Sequence, residues 1–255
     1  MLSAEERERY DRQIMIPEIG EQGQERLKRA KVLIAGAGGL GSPIAIYLAA
    51  AGTGTIRIVD HDRVDVSNLN RQVLHWEKDK GVAKVLSGVE KLKGLNPYVN
   101  VETVEQTIAE GNIAELAEGF DAIVDAMDNL PTRYLLNKAA IDRNIPFFHG
   151  AVRGFEGRVM TVIPGETACL RCMYRGPVPE EKFPVVGVTP ALVGTIQATE
   201  VIKYIVGTGE LLANRLLVYD GLDMKFTEFK VKRNPDCDHC GHLKFPAVLS
   251  ERSER

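Results

Sequence analysis

The chain has little cysteine or tryptophan, no long apolar run and almost no surplus of charge. Its 255 residues include four cysteines and one tryptophan, and the formal net charge is −3. Such a small acidic surplus gives no electrostatic reason to expect nucleic acid or an anionic membrane as the main partner. The most apolar stretch, residues 43–52, is far too short to span a bilayer. With an ordinary overall composition, these absences favour a cytoplasmic enzyme.

The four cysteines form two Cys-x-x-Cys pairs, Cys169/Cys172 and Cys237/Cys240. Each pair has the spacing of one half of a tetrahedral thiolate site, so the two pairs together predict a structural zinc ion. A disulfide framework fits poorly, because the charged segment 5–9 does not resemble a secretory signal. A redox role is weaker too, since two motifs about 65 residues apart suit a long zinc clip better.

Zinc binding by all four thiolates has two consequences. His239 lies inside the second pair but is not needed as a ligand, so we expect it to face solvent. No cysteine then remains as a nucleophile, and a covalent thioester mechanism would have to find its sulfur elsewhere.

Short apolar runs alternate with helical patterns along the first 150 residues. Buried parallel strands are predicted at residues 31–35, 55–59, 99–104, 122–124 and 146–150. Helices are predicted between them, among them one over residues 81–95 and one over residues 132–144. This alternation predicts an α/β fold with a doubly wound, mostly parallel, Rossmann-like sheet.

The two ends of the chain depart from this alternation. A capping box at Ser3 and Glu6 opens an N-terminal helix that carries Arg9, Tyr10, Arg12 and Gln13. After residue 154, antiparallel strands are predicted at 158–163, 216–219 and 226–229, with a loop at 175–187 and a helix at 189–206. The cysteine pairs would clip this antiparallel extension to a single domain, residues 1–245, which leaves 246–255 as a disordered tail.

The segment 36–41, Gly-Ala-Gly-Gly-Leu-Gly, joins the first predicted strand to an alanine-rich helix. We call it the glycine loop; its glycines are Gly36, Gly38, Gly39 and Gly41. Glycine is suited to such a turn because a Cβ would keep phosphate away from the backbone N–H groups at the helix start. Asp60 follows about 20 residues later, where an acid can bind a ribose hydroxyl. The loop therefore predicts a nucleotide, by default a dinucleotide.

Further polar residues favour ATP over a nicotinamide cofactor. They are Asn68, Arg71, Gln72, Lys84, Asp128 and Asn129. An arginine fork and a lysine point charge suit a triphosphate, and an aspartate at a strand end suits Mg²⁺. Taken alone, Lys84 also fits a solvated helix face, Arg71 a surface ion pair and Asp128 a helix cap. As a set, they point to a triphosphate site.

The chain resembles the ThiF/MoeB/HesA family, the ubiquitin-activating-enzyme-like adenylyltransferases of sulfur-carrier proteins in thiamine and molybdopterin synthesis. The resemblance runs from Arg9 to Cys240 in one order. It rests on Arg9-Tyr-Asp-Arg-Gln13, the glycine loop, Asp60-His-Asp62, Ser67-Asn-Leu-Asn-Arg-Gln72, Lys84, Asp128-Asn129 and the two cysteine pairs.

The resemblance implies a role for each of these residues. ATP would lie over the glycine loop with its ribose on Asp60, its phosphates on Asn68, Arg71, Gln72 and Lys84, and Mg²⁺ on Asp128. It implies a homodimer in which Arg12 reaches the ATP of the neighbouring subunit. The implied substrate is a small ubiquitin-like carrier that ends in Gly-Gly and becomes an acyl-adenylate as pyrophosphate leaves.

The sequence also departs from part of that family. Some relatives carry a further cysteine after the first Cys-x-x-Cys that links covalently to the carrier, but the segment 180–187 has none. We also expect no sulfurtransferase domain of the rhodanese type after Cys240. We therefore expect an enzyme that only adenylates.

Three alternatives remain open at this point. An NAD(P)-dependent oxidoreductase would use the glycine loop and Asp60, but it leaves Arg71, Lys84 and Asp128 without a task. An adenylating enzyme could act on a small carboxylate or an RNA-linked carboxylate, although the acidic charge argues mildly against RNA. A regulatory scaffold that only binds nucleotide is the third, and loss of ATP turnover would favour it.

Overall fold

The computed structural model describes residues 1–174 and 183–244. The predicted loop 175–187 lies partly outside these residues, and the predicted tail 246–255 lies wholly outside them. The α-helices are α1 Ala4–Arg9, α2 Asp11–Ile14, α3 Gly20–Arg29, α4 Gly41–Ala51, α5 Lys84–Leu95, α6 Ile113–Leu116, α7 Leu130–Arg143, α8 Leu170–Met173 and α9 Val188–Val206. The strands are β1 Lys31–Ala35, β2 Thr55–Val59, β3 Asn100–Val104, β4 Ala122–Asp125, β5 Phe147–Arg153, β6 Glu156–Val162, β7 Arg215–Asp220 and β8 Lys225–Lys230.

The strands form one mixed sheet in the order β3-β2-β1-β4-β5-β6-β7-β8. Strands β1 to β5 pair in parallel, whereas β6, β7 and β8 add to the sheet as antiparallel neighbours. This confirms the predicted doubly wound sheet with an antiparallel C-terminal extension. The chain winds outward from β1 to β3 and then crosses to β4 on the other side of β1. The carboxyl ends of β1 and β4 thus form the topological switch point, where open α/β sheets bind ligands.

The sheet has an apolar cluster on each face, as an internal parallel sheet requires. Successive residues of β1 alternate between the two: Val32 and Ile34 join one cluster, and Leu33 and Ala35 join the other. The first cluster includes residues of α4, α5 and α9, and the second includes residues of α6, α7 and α8. These four of the five β1 residues are fully buried, which explains why residues 32–35 form an unbroken apolar run.

The predicted helices over 132–144 and 189–206 match α7 and α9 to within two residues, whereas two other helices differ more. The N-terminal helix begins at the predicted capping box but breaks at Tyr10, which separates α1 from α2. The Tyr10 side chain is buried, and its hydroxyl accepts a hydrogen bond from Asn96 Nδ2 at 2.8 Å. The helix predicted over 81–95 begins only at Lys84, because Gly81 has a φ of +80° and Ala83 pairs with Arg63 in an antiparallel bridge. Tertiary contacts decide both ends.

Candidate active site

The glycine loop packs tightly between the ends of β1 and β4. Gly36 has a φ of +105°, and a Cβ there would lie 2.6 Å from the carbonyl oxygen of Ala126. A Cβ on Gly41 would overlap the carbonyl oxygen of Gly36. Helix α4 begins at Gly41, and its N-cap residue provides no side-chain hydrogen bond. The positive end of α4 therefore lies at the switch point without a side-chain cap.

Asp60, predicted to bind ribose, braces this loop from the end of β2. Its Oδ2 accepts a hydrogen bond from the backbone N–H of Ala37 at 2.7 Å, and its Oδ1 accepts one from that of Asp62 at 2.8 Å. A carboxylate has about four acceptor positions, so these two bonds leave capacity for a ribose hydroxyl. Binding of ribose by Asp60 stays a prediction.

Gln72 and Arg71 lie beside the loop. Gln72 Nε2 is 3.6 Å from the position that a Cβ on Gly38 would occupy. Arg71 Cγ is 3.6 Å from the position that a Cβ on Gly39 would occupy. Gln72 is buried, and its Oε1 has no hydrogen-bond partner among the described residues; the same holds for Ser42 Oγ in the first turn of α4. Buried polar atoms without partners are rare in folded proteins. These two fit a polar ligand seated on the loop.

The Arg71 guanidinium is held locally and is not part of a surface ion pair in the described chain. Its Nη1 donates to the carbonyl of Ser67 at 2.8 Å and to Asn70 Oδ1 at 3.0 Å. Asn68 has a local task as well, because its Oδ1 accepts a hydrogen bond from the backbone N–H of Asp65 at 3.2 Å and closes the 3-10 turn Val66–Asn68. A phosphate could take over either arginine contact as a stronger, charged acceptor.

Lys84 does not lie on a solvated helix face. Only 5% of its surface is exposed, and its Nζ lies 2.7 Å from Asp62 Oδ2. It is the first residue of α5, where the helix dipole disfavours a cation. The Asp62 carboxylate offsets that cost, while about half of its own surface faces solvent. The lysine is linked to the loop through Asp62 and Asp60, and it has a counter-ion that a phosphate can replace.

Asp128 and Asn129 follow β4 and differ in their roles. Asn129 is the N-cap of α7, since its Oδ1 accepts a hydrogen bond from the backbone N–H of Thr132 at 2.9 Å. Asp128 is exposed, and Asn129 Nδ2 approaches its Oδ1 only at 3.4 Å. The helix cap is therefore Asn129 and not Asp128. The Asp128 carboxylate remains open, as a hard oxygen ligand for Mg²⁺ should be.

Arg12, a further proposed site residue, lies near the end of α4 that is remote from the glycine loop. It is exposed on α2. The adjacent Gln13 donates from Nε2 to the carbonyl of Ala51 at 3.1 Å, at the end of α4 that is remote from the loop. Eleven helical residues separate the two ends by about 15 Å. Arg12 is thus poorly placed to reach the same chain's nucleotide.

Sequence reasoning missed His75, which lies beneath the loop. The ring is buried between the carbonyl of Ala37, 2.9 Å from Nε2, and the Ser87 hydroxyl, 2.8 Å from Nδ1. Burial lowers the pKa of His75, which favours the neutral ring. Because a carbonyl only accepts, Nε2–H donates to Ala37. The Ser87 hydroxyl beside Nδ1 also lies 3.1 Å from Asp79 Oδ2. No motif in the sequence marks His75 as part of the site. The only indication is that it follows Gln72 by three residues.

A second missed group lies at the ends of β4 and β5. Asp125 and His149 are both fully buried, with His149 Nδ1 2.7 Å from Asp125 Oδ2. Arg133 on α7 approaches the same carboxylate oxygen, with its Nε at 3.3 Å. Burial lowers the pKa of His149 and outweighs the opposing effect of Asp125. In the sequence, Asp125 only follows the apolar strand predicted at residues 122–124, and nothing there indicates its partners His149 and Arg133.

The four cysteines meet on the other face of the sheet, and we call them the cysteine clip. Their sulfur atoms lie within 4.8 Å of one another, with pairs at 3.5 Å (Cys172–Cys240), 3.6 Å (Cys169–Cys237) and 3.9 Å (Cys169–Cys172). Four sulfurs at about 2.3 Å from a tetrahedral zinc would be about 3.8 Å apart. All four residues are buried. The clip therefore fits a zinc ion.

His239 is not a member of the clip, but the expectation that it faces solvent is wrong. It is half-buried; its Nδ1 lies 2.8 Å from Asn137 Nδ2, and its ring meets Tyr134 edge-on. Asn137 on α7 also accepts a hydrogen bond from the backbone N–H of Leu170 at 3.0 Å. One buried side chain thus contacts the segments of both cysteine pairs, which holds His239 against α7.

The fold and the switch point together define a nucleotide-binding α/β protein of the Rossmann type with a cluster of four buried cysteines that fits a metal ion. The sequence model of the ThiF family matches residues 10–239, which is most of the chain. The protein therefore belongs to this family. In the described part of the chain, no helix has the length and apolarity needed to cross a bilayer.

Individual relatives are similar over nearly their whole length. The chain is 44% identical over 248 residues to the sulfur carrier protein adenylyltransferase of Thermus thermophilus, covering 93% of this chain and 92% of the relative. It is 45% identical over 246 residues to the SAMP-activating enzyme E1 of Haloferax volcanii, covering 94% and 91%. Among solved structures, E. coli MccB with ATP has a TM-score of 0.79 at 26% identity, covering 86% of this chain and 69% of that one.

Proposed function

We propose that the protein is an adenylyltransferase that uses ATP, in the cytoplasm, to activate the C-terminal Gly-Gly carboxylate of a small ubiquitin-like sulfur-carrier protein. One observation carries the proposal: Arg71 and Gln72 lie against one glycine loop, Lys84 is linked to it through Asp62 and Asp60, and the open carboxylate of Asp128 follows the neighbouring strand. An oxidoreductase that uses NAD(P) has no task for these cations.

Membership of the ThiF family supports the reaction, and the named relatives support the substrate. Two relatives that this chain covers over more than nine-tenths of their length are named as a sulfur carrier protein adenylyltransferase and a SAMP-activating enzyme. Adenylation of such a carrier is the activity of this family branch, and this protein is one of its enzymes. The structure of MccB with ATP supports ATP as the nucleotide on a fold of this kind.

The residues present fit the implied ligands. The unpartnered Gln72 Oε1 and Ser42 Oγ suit a polar ligand on the loop, where Asp60, Asn68 and Asn129 would complete the nucleotide site. Asp128 would hold Mg²⁺, which when bound neutralises charge on the phosphates. The cysteine clip would hold zinc as a structural ion, with no ligand position left open for catalysis.

The reaction needs no general base, which agrees with the groups at the site. A peptide C-terminal carboxylate, with an ordinary pKa of about 3.5, is ionised at neutral pH. One of its oxygens bonds to the α-phosphorus of ATP as the bond from that phosphorus to the bridging oxygen of pyrophosphate breaks. The enzyme must bring these two anions together and stabilise the charge on the departing pyrophosphate. In this proposal, Arg71 and Lys84 supply that positive charge.

We further propose that the working unit is a homodimer in which Arg12 acts on the neighbouring subunit's ATP. The position of Arg12 at the remote end of α4 supports this, since the residue has no short route to its own glycine loop. We also propose that the enzyme forms no thioester of its own, because all four of its cysteines belong to the clip.

Incubation with ATP, Mg²⁺ and candidate carriers ending in Gly-Gly tests the function, with mass spectrometry for the carrier-AMP species. We expect Arg71→Ala to lower carrier-dependent ATP–pyrophosphate exchange at least 100-fold, about the effect of removing one donor to transition-state charge. Arg29→Ala, which removes an exposed arginine on α3, is the matched control and should leave the exchange rate unchanged. Undiminished exchange in Arg71→Ala would refute the assignment.

A further inference from the structure

The proposed function leaves one buried polar cluster without a task, and it lies directly behind Asp128. Asp125, the last residue of β4, is fully buried. Its Oδ2 is within 3.3 Å of Arg133 Nε and 2.7 Å of His149 Nδ1. Among the described residues, Arg133 Nε forms an ion pair with Asp125 but no hydrogen bond, and His149 Nε2 is buried without a hydrogen-bond partner.

The cluster fixes both backbone groups of Met127, the residue before Asp128. The Met127 N–H donates to Asp125 Oδ1 at 3.0 Å, and the Met127 carbonyl accepts from Arg133 Nη2 at 2.6 Å. The same Nη2 also donates to the carbonyl of Gly150 in β5, at 3.1 Å. The peptide that leads into Asp128 is thereby tied to two strands and to α7.

A further brace comes from the opposite face of the sheet. Gln197 on α9 donates from Nε2 to the carbonyls of Asp125, at 2.8 Å, and Phe148, at 3.0 Å. Burying a carboxylate with its partners is rarely the most stable way to fill a core, since apolar side chains of similar size do so at lower desolvation cost. The charged network instead holds the Met127 backbone in a defined position.

We propose that Arg133 is a positioning residue that sets the Asp128 carboxylate in place for the metal ion of metal–ATP. The inference rests on the proposed function, because it takes Asp128 as the metal ligand. Arg133 does not touch the nucleotide in this account; it acts through the Met127 carbonyl. A planar guanidinium can serve Asp125, Met127 and Gly150 together, whereas a lysine ammonium is a single point donor.

The test uses Arg133→Lys in the full-length, zinc-loaded protein. The substitution keeps a positive charge near the buried Asp125, so the fold should persist, which thermal unfolding will verify. Mn²⁺ with a non-hydrolysable ATP analogue is the probe, titrated by electron paramagnetic resonance without any carrier. We expect the affinity for Mn²⁺ to fall about tenfold, which is a usual effect of changing a residue that positions a metal ligand. Affinity for the analogue in EDTA should change less than about twofold.

Two controls separate positioning from a general loss of structure. Arg143→Lys alters the other end of α7, where that guanidinium donates to the carbonyl of Ala114, and should leave Mn²⁺ affinity unchanged. In an Asp128→Asn background, Arg133→Lys should have no further effect, because the group through which it acts is gone. A full effect in that background would overturn the inference.

Other outcomes are equally decisive. Equal Mn²⁺ affinity in the wild-type protein and Arg133→Lys would overturn the inference and leave the proposed function standing. An equal loss of metal-dependent and metal-free binding would mark Arg133 as merely structural. No binding of the Mn²⁺–analogue complex by the wild-type protein would overturn the proposed function as well as the inference.

Discussion

The glycine-loop site and the cysteine clip both collect ionisable groups, but they differ in how charge is balanced. At the loop, Lys84 is paired with Asp62, and the Arg71 guanidinium is held by a carbonyl and an amide oxygen. At the clip, four buried thiols face one another, and burial raises the pKa of Cys240 to about 11 and raises that of Cys169 further. The charges at the first site are balanced within the protein, whereas the four thiols of the second would be balanced, as thiolates, by the proposed zinc ion.

This difference suits a substrate site and a structural site. In the proposed reaction, phosphates would replace the partners of Lys84 and Arg71, and these partners would return after product leaves. Thiolates that lose their metal have no alternative counter-charge nearby, so the clip should hold its ion permanently. Helix α7 touches both, since Asn129 caps its start beside Asp128 and Asn137 contacts both cysteine segments.

The largest effect should come from breaking the clip. Cys237→Ser removes one thiolate ligand, and we expect loss of zinc together with a loss of stability of several kcal/mol, since structural zinc contributes to folding directly. Zinc content by plasma mass spectrometry and the midpoint of thermal unfolding provide the measurement. His242→Asn changes an exposed residue close to the clip and serves as the control. A zinc-free variant that unfolds at the wild-type temperature would contradict the structural role.

The pH dependence of stability should reverse sign when zinc is removed. In the metal-free protein, the raised pKa values of Cys169 and Cys240 give stability that is present below about pH 8.5, the ordinary cysteine value, and is lost as pH rises. Cys172 opposes this trend: although burial acts against it, hydrogen bonds such as that from the Asn234 N–H lower its pKa. With zinc bound, the thiolate form is required, so stability should instead fall as pH falls. The same direction in both forms would rule out zinc–thiolate binding.

Sequence patterns predicted the elements that have a simple period or a fixed spacing. The bounds of β1 and β2 match their apolar runs, and the cysteine pairs come together as their spacing indicated. The break at Tyr10 was not predictable, because it depends on Asn96, which is remote in the sequence. The burial of Lys84 depends on Asp62 in the same way. Pairings of this kind have no local signature, and they decide whether a charged residue is solvated or held for function.

At the loop site, removing a charge should affect activity strongly and stability little. We expect Lys84→Met to lower ATP–pyrophosphate exchange roughly 100- to 1,000-fold, the usual cost of losing one donor to transition-state charge. The stability should change by less than about 1 kcal/mol, because the substitution removes a cation from the start of a helix and leaves Asp62, which is half exposed, in contact with water. Exchange assays and thermal unfolding measure the two effects. Lys93→Met, in the last turn of the same helix, is the control.

The smallest effect is expected from Gln72→Leu. This variant also distinguishes most directly between a ligand-binding role and a structural role. The buried Gln72 Oε1 has no partner in the described chain, so an apolar side chain of similar size should leave stability unchanged or raise it by about 1 kcal/mol. Affinity for ATP should fall roughly tenfold or more, since a hydrogen bond to a charged group contributes about 1.5–3 kcal/mol. Calorimetric titration with ATP and chemical unfolding give the two values, with the exposed Gln22→Leu as control. A variant that lost stability but kept its affinity would mean that Gln72 belongs to the structure, as the cysteines do, and not to the ligand.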